Sequence, residues 1–542
     1  MTDTKVLAMT GSDDHSGLSQ SSGKGNTDPN LFHDSTTADF LTGGDERSRA
    51  RQLLTPEEEK KLLRRIDWHL MPLCSIIFMF KNLDSDNVSL TNRYGLDTII
   101  SNTYLLTWTS KVSNARIMNR GTDQNIMTQL GMSSDAYALV TVLYYIPYII
   151  GEAPSNLLIK RFSPSKWQSR ILVSWGAVLG LHCLAKNAAG LYTARFFLGL
   201  FEAGQFPGVI LQMCYWYRPD EMSLRLLYFY ICGNLSGIFS GILAFAFDHL
   251  SGYGGLSGWQ WLFLVESLAT IAMGVVVWFT LPDFPDTASW LSEKEKAFIQ
   301  ARLPPNAPRA SEQTFKFSEI VSSLKDVRLW LFTLIWAFFT VGTSGVRFYQ
   351  PTVIANLGFT DLATAQILNI PITVLGLAII AVTGIFADNG RLPRPLYPLG
   401  FLTIILACYG VLVAYPSNGT VYAATMIGNA VTAAWYPMMW PWRVQTTSRA
   451  TGSAFAIGFV NSYGQIGGAV GPQLFRGDYA PRYRISFGVA MALVGACMGM
   501  TLITWFLTRD TENETRRLKR EKLAAARRGE GFVGELGDET VK

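Results

Sequence analysis

The sequence predicts an all-α membrane protein whose twelve transmembrane helices form two six-helix halves. Three observations carry this prediction. Only 16% of the 542 residues are charged and 49% are hydrophobic, against about 25% charged in an ordinary soluble domain. Between Met71 and Leu507, long windows hold almost no charge, and about 20 apolar residues suffice to cross a bilayer. A polar stretch, residues 283–327, divides these windows six and six.

Taken in order, the chain opens on a polar tail, residues 1–66, rich in Ser, Gly, Asp and Thr (GSDDHSGLSQSSGKGNTD). That composition cannot bury enough apolar surface to fold and reads as disordered. No cleavable signal sequence is visible, since the first apolar run starts only near Trp68. Within the tail, TPEEEKKLLRRI (55–66) predicts a short amphipathic helix with Thr55 as its cap and glutamates in its first turn. The first half, 67–282, holds predicted spans 69–86, 136–158, 169–187, 190–213, 223–247 and 259–281. The linker, 283–327, contains LSEKEKAFIQARL, a second short amphipathic helix. The second half, 328–509, holds spans 329–350, 362–386, 395–415, 420–440, 453–474 and 485–507, and a charged tail, 510–542, follows. Gly464, Gly467, Gly468 and Gly471 predict close helix packing in the eleventh span.

Loop charge sets the orientation. Lys160, Arg161, Lys166 and Arg170 follow span two, and Arg218 and Arg225 follow span four. Arg391 and Arg394 follow span eight, and Arg443 and Arg449 follow span ten. The loops after spans five and nine carry neither Lys nor Arg. Even-numbered loops, the linker and both termini are therefore expected in the cytosol. The loop after span eleven, with Arg476, Arg482 and Arg484, runs against this bias without reversing it. Two halves joined by a cytosolic linker suit a transporter with its site between them, near mid-membrane.

An ionisable group inside a span is expensive, so each one invites a functional reading. Asp84, Glu152, Arg195, Glu202, Glu266 and Arg347 are the candidates; for each, an ion pair that merely packs helices stays open. Arg195 and Glu202 are seven apart in ARFFLGLFEAGQFPG, nearly two turns, so they share a helix face. An arginine facing a cavity can hold a carboxylate, and a desolvated glutamate can carry a proton. At a predicted cytosolic helix end, GIFADNGR (384–391) places Asp388 and Arg391 where a carboxylate can latch one conformation. The equivalent place in the first half, EAPSNLLIKRFSPSK (152–166), keeps Lys160 and Arg161 but has Asn156 for the acid.

Other classes find no support. No Walker A loop, HExxH, other metal spacing or GxSxG occurs, which argues against ATP-driven transport and against an enzyme, and no cofactor is implied. The six cysteines form no CxxC pair. Basic residues are spread over short loops, so no nucleic-acid surface is expected.

These residues carry a resemblance. GIFADNGR is similar to the cytosolic loop signature of the major facilitator superfamily, and RFFLGLFEAGQFPGV, EAPSNLLIKRF, SGWQWLFLVES and NARIMN resemble its fungal anion:cation symporter branch, the allantoate-permease-like group. The resemblance covers about residues 60–510. It implies the major facilitator fold and proton-coupled uptake of a small organic anion such as allantoate, nicotinate, pantothenate or biotin. Arg195, Glu202 and Glu152 fall in the matching motifs. After span one the family pattern is Leu-Asp-Arg/Lys-x-Asn; here Leu83, Asp84 and Asn87 match, but Ser85 replaces the basic residue. The family then expects Ser-Asn-Ala at once, whereas residues 88–111 intervene before Val112-Ser113-Asn114-Ala115. That stretch opens on Val-Ser, which a splice donor can encode, and ends on Lys111, which AAG can encode. We read it as a retained intron, the alternative being an extracellular insertion.

The site expected on this basis has Arg195, Arg347, Asn461, Tyr463 and Gln465 on the substrate, and Glu202, Glu152, Glu266 and Asp84 on the proton. Asp388, Arg391, Lys160 and Arg161 form the gate. The expected partners are the anion, protons and the bilayer of the plasma membrane, with the chain a monomer. An exporter of a secondary metabolite, or a nutrient receptor that does not transport, are the rival classes for the same fold.

Overall fold

A computed structural model describes residues 49–51, 53–85, 122–219, 221–303, 316–356, 362–444, 450–474 and 483–528. The stretch 88–111 and most of both tails lie outside the described residues, as do the side chains of Asp84, Lys160 and Arg347. Among the described residues there is no strand, and a helix or a broken pair of helices occupies each of the twelve predicted positions.

In the first half these are α1 (Pro56–Ser85), α2 (Ser134–Phe162), α3 (Pro164–Leu181), the pair α4 (Ala188–Glu202) and α5 (Gln205–Trp216), α6 (Met222–His249) and α7 (Gly258–Thr280). The linker carries α8 (Glu293–Arg302) and α9 (Phe317–Lys325). The second half has α10 (Val327–Asn356), α11 (Leu362–Asp388), α12 (Leu396–Ala414), α13 (Asn418–Val444), the pair α14 (Ala450–Gly464) and α15 (Ile466–Val470), and α16 (Arg484–Arg528). Six described segments are by themselves long and apolar enough to cross a membrane, among them Gly258–Thr280, Leu396–Ala414 and Arg484–Ala525. Other positions are helical but interrupted by polar residues, as α2 is by Glu152 and Asn156.

Two boundaries differ from the sequence reading. The short helix expected over 55–66 is not separate: Thr55 and Glu58 cap a single helix that runs unbroken into the first span. The last span likewise continues to Arg528 as one 45-residue helix. No Gly or Pro stands between Trp505 and Arg528 to end it, and hydropathy marks where a helix leaves lipid, not where it stops.

The predicted linker helix forms as α8. Ser292 and Glu295 close a capping box at its start.

Close approach explains the glycines. A Cβ on Gly199 would lie 2.1 Å from the Tyr144 carbonyl oxygen, so α2 and α4 meet backbone to backbone. The fourth span breaks at Gly204, whose φ of 88° only glycine adopts readily. In the eleventh span, Gly464, Gly467 and Gly471 press on Trp336, Thr340 and Ser344 of α10, while Gly468 receives the Tyr145 ring of α2. The two halves meet along α2–α14 and α6–α11.

Candidate functional site

The α2–α14 seam holds the candidate site. Tyr144, Tyr148, Glu152 and Asn156 recur every four residues on α2 and form one inclined ridge. All four are buried. The Tyr144 and Tyr148 rings pack at a tilt of 33° with centroids 5.5 Å apart. Below them the Glu152 carboxylate accepts a hydrogen bond from the Asn461 side-chain amide of α14. One turn further on, the Asn156 amide donates to the Ala454 carbonyl at 2.5 Å. A Cβ on Gly458 would lie 3.0 Å from the Ala153 Cα, and this thinness lets the two helices approach. Ser462 also faces Glu152. A fully buried carboxyl therefore bridges the halves, and its protein contacts there are neutral hydrogen-bond donors.

Two further charges converge on the ridge. Glu202, at the end of α4, is buried against Tyr144 and Tyr148. From α1, the Lys81 ammonium lies 5.7 Å from the centre of the Tyr148 ring. Lys81 is absent from the candidates the sequence suggested. Its signal was a lysine within a span, masked by its place near the end of the apolar run.

Arg195 shares α4 with Glu202 but looks elsewhere: its guanidinium lies over the Phe263 ring of α7 at 5.5 Å. Glu266, buried on α7 three residues beyond Phe263, also belongs to the interior of the first half. Tyr463 is turned from the seam; it is 37% exposed and packs on Phe459 at 4.7 Å. Gln465 sits at the α14–α15 break, its backbone amide donating to the Asn461 and Ser462 carbonyls.

The linker side of the bundle is closed. A Cβ on Gly384 of α11 would lie 2.9 Å from the Leu227 Cδ1 of α6. Asp388 receives Lys519 of α16 at 2.6 Å, so its partner is on the long last helix rather than in its own loop. Arg391 and Arg161 are exposed. Arg394, buried and flanked by Pro393 and Pro395, reaches further: its backbone amide donates to Glu512 at 2.8 Å, and its guanidinium to the Pro219 carbonyl of the first half at 3.4 Å.

Beside it lies an ionic cluster. Glu221 pairs with Arg302 of α8 at 3.0 Å and with Lys522 of α16 at 2.8 Å. Glu59 of α1 pairs with the same two cations at 3.5 and 3.0 Å. Burial pushes the Glu221 carboxyl up, but Arg302, Lys522, Arg225 and Arg218 outweigh it and hold the group well below the usual carboxylate range. The start of α1, the linker, the first half and the last helix are thereby tied at one point.

Known proteins agree with this architecture. The family model described as Major Facilitator Superfamily matches residues 112–472. The MFS transporter prlL of Fungal sp. (strain NRRL 50135) is 27% identical over 89% of this chain and 94% of its own length. A putative tartrate transporter of Agrobacterium vitis is 27% identical over 77% of this chain and 88% of its own. Among solved structures, the proton:xylose symporter XylE aligns with a TM-score of 0.55 at 14% identity, covering 79% of this chain and 94% of the symporter. That likeness concerns the fold. With the family match running over most of the helical region, and both halves folded around a polar seam, the chain belongs to the Major Facilitator Superfamily and is a multi-pass membrane transporter.

Proposed function

We propose that the protein imports a small organic anion together with protons across the plasma membrane, as a monomer. The observation that carries this reading is the Glu152–Asn461 contact: a buried carboxyl holds the two halves together at a seam where they must part. Protonation removes the charge that the amide recognises and so loosens the link. Alternating access then follows from rocking of one half against the other.

The charge balance of the seam favours an anion that arrives with protons. Glu152 and Glu202 flank the same tyrosine pair, and Lys81 stands over it. Two like charges about 5 Å apart, at an effective dielectric near 20, repel by about 3 kcal/mol. An anion entering beside two ionised carboxylates meets that repulsion; an anion entering after protonation does not. Glu152 is thus the principal coupling residue, and Glu202 the second. Arg195 and Glu266 lie inside the first half, and Arg347 and Asp84 keep the substrate and proton roles that the sequence suggests for them.

The motifs of the anion:cation symporter branch support a carboxylate substrate, as does the tartrate named for the Agrobacterium vitis relative. With the linker side in the cytosol, the end closed by Gly384–Leu227 and Arg394–Pro219 faces inward, as an importer awaiting substrate requires.

An uptake screen of labelled organic anions, in a host stripped of its own permeases, tests the reading. Accumulation that collapses when the proton gradient is dissipated is the expected result. Transport independent of the gradient, or counterflow showing net export, overturns it.

A further inference from the structure

We propose that Lys81 is the residue that holds the transported carboxylate, and that it does so by exchanging the Glu152 carboxylate for the substrate's. The inference rests on the anion-uptake reading above and names the recognition element of that site.

Depth and direction single Lys81 out. His69 of α1 stacks on Trp290 of the linker at 4.2 Å, which marks the linker-side surface. Lys81 follows twelve residues later, about 18 Å deeper at 1.5 Å per residue. That sets it toward the end of α1 farthest from the linker. A lysine so placed does not reach the linker-side surface by extending its stem. Its ammonium instead turns into the bundle, over the face of Tyr148, where a cation is held by the ring. Tyr148 stands one turn before Glu152 on the same ridge, and the Lys81 charge acts on the Glu152 carboxyl across it.

The neighbourhood allows the exchange. Around Tyr148 the described side chains offer two carboxyls, Glu152 and Glu202, and neutral donors, Asn461 and Ser462. With Glu152 ionised, the lysine and the Asn461 amide share one negative charge. When Glu152 takes a proton, its negative charge is gone, and the lysine faces a site in which a substrate carboxylate restores the balance. One proton in and one anion in leave the local charge as it was. The arrangement predicts selectivity for an anion: a neutral analogue offers the lysine nothing in return for Glu152.

The test uses the full-length protein in liposomes, with labelled nicotinate and tartrate as probes. Lys81→Gln is expected to raise the KM for a transported carboxylate more than tenfold, with a smaller change in Vmax. Lys81→Arg should stay within about threefold of the native value. Inhibition by nicotinamide, the neutral counterpart of nicotinate, should be equally weak in all three proteins. Native KM in Lys81→Gln overturns the proposal. If the native protein moves neither probe, anion uptake as read above fails for these compounds, and a second measurement still decides on the lysine. Amidination of Lys81 by externally added methyl acetimidate, followed by mass spectrometry, should be at least threefold faster in Glu152→Gln than in the native chain. Equal rates overturn the exchange. This arm keeps the lysine, so it does not depend on a Lys81 variant folding.

Discussion

The two halves are joined in two places that handle charge in opposite ways. At the α2–α14 seam the buried Glu152 carboxylate meets an amide and a hydroxyl, with Glu202 beside the tyrosine pair and Lys81 across the Tyr148 ring. At the linker side, Glu221 and Glu59 share Arg302 and Lys522 in a closed set of ion pairs. The first arrangement leaves the carboxyl titratable, because a neutral donor stabilises the ionised form far less than a full countercharge does. The second fixes the carboxylate as an anion. Under the coupling role proposed for Glu152, the charge that moves has neutral partners, and the charge that holds a shape has opposite ones.

Breaking the fixed cluster should have the largest effect. Glu221→Gln leaves the buried Arg302 and the partly exposed Lys522 to share Glu59 alone, and removing one partner of a buried pair costs up to about 3–5 kcal/mol. A clear fall in the melting temperature of the purified protein is expected; an unchanged melting curve means that the cluster does not bind the linker to the first half. Next comes Glu152→Gln, for which proton-driven accumulation should drop at least tenfold while the melting temperature stays close to native. If both variants lose stability alike, the contrast between the two regions is wrong.

Acid should separate the regions as well. Glu221 is held below its ordinary value of 4.5 in the folded protein. A depressed carboxyl stabilises fully above the unfolded value, and that contribution is lost as pH falls through the folded one. Thermal stability should therefore be flat from neutrality to about pH 5 and fall only in stronger acid. In Glu221→Gln the acid-induced part of the fall should shrink. Lys522 is 21% exposed, so Lys522→Ala should remove about 1 kcal/mol or less. The smallest effect is expected from Tyr463→Phe, whose ring faces Phe459 rather than the seam; uptake within twofold of native is predicted, and a tenfold loss would return Tyr463 to the substrate site.

Much of this was legible in advance, for reasons that depend on one segment at a time. Helix positions follow from the free energy of burying long apolar runs in lipid, and Ser292–Glu295 announces the start of α8 through its own backbone donors. Glu152 and Asn461 were legible as polar residues in spans. Their meeting was not, since they are 309 residues apart. Lys81 escaped notice because hydropathy treats a basic residue near a run's end as a boundary. Arg394 escaped because its flanking prolines say nothing of burial; its contacts with Glu512 and Pro219 distinguish it from Arg391. Asp388 was expected to latch the gate, and only the unbroken length of α16 brings Lys519 to it.

The sequence alone determined what is additive along the chain: which segments are helical, where the halves divide, and that charges lie inside the membrane. Lipid imposes those features on each segment separately. The tertiary structure decided which charges are neighbours. Arg195 and Glu202 share a helix yet face α7 and α2, while Lys81, Glu152 and Asn461 come from three helices to one seam. Pairing depends on how helices pack across the bundle, and no single helix carries that information.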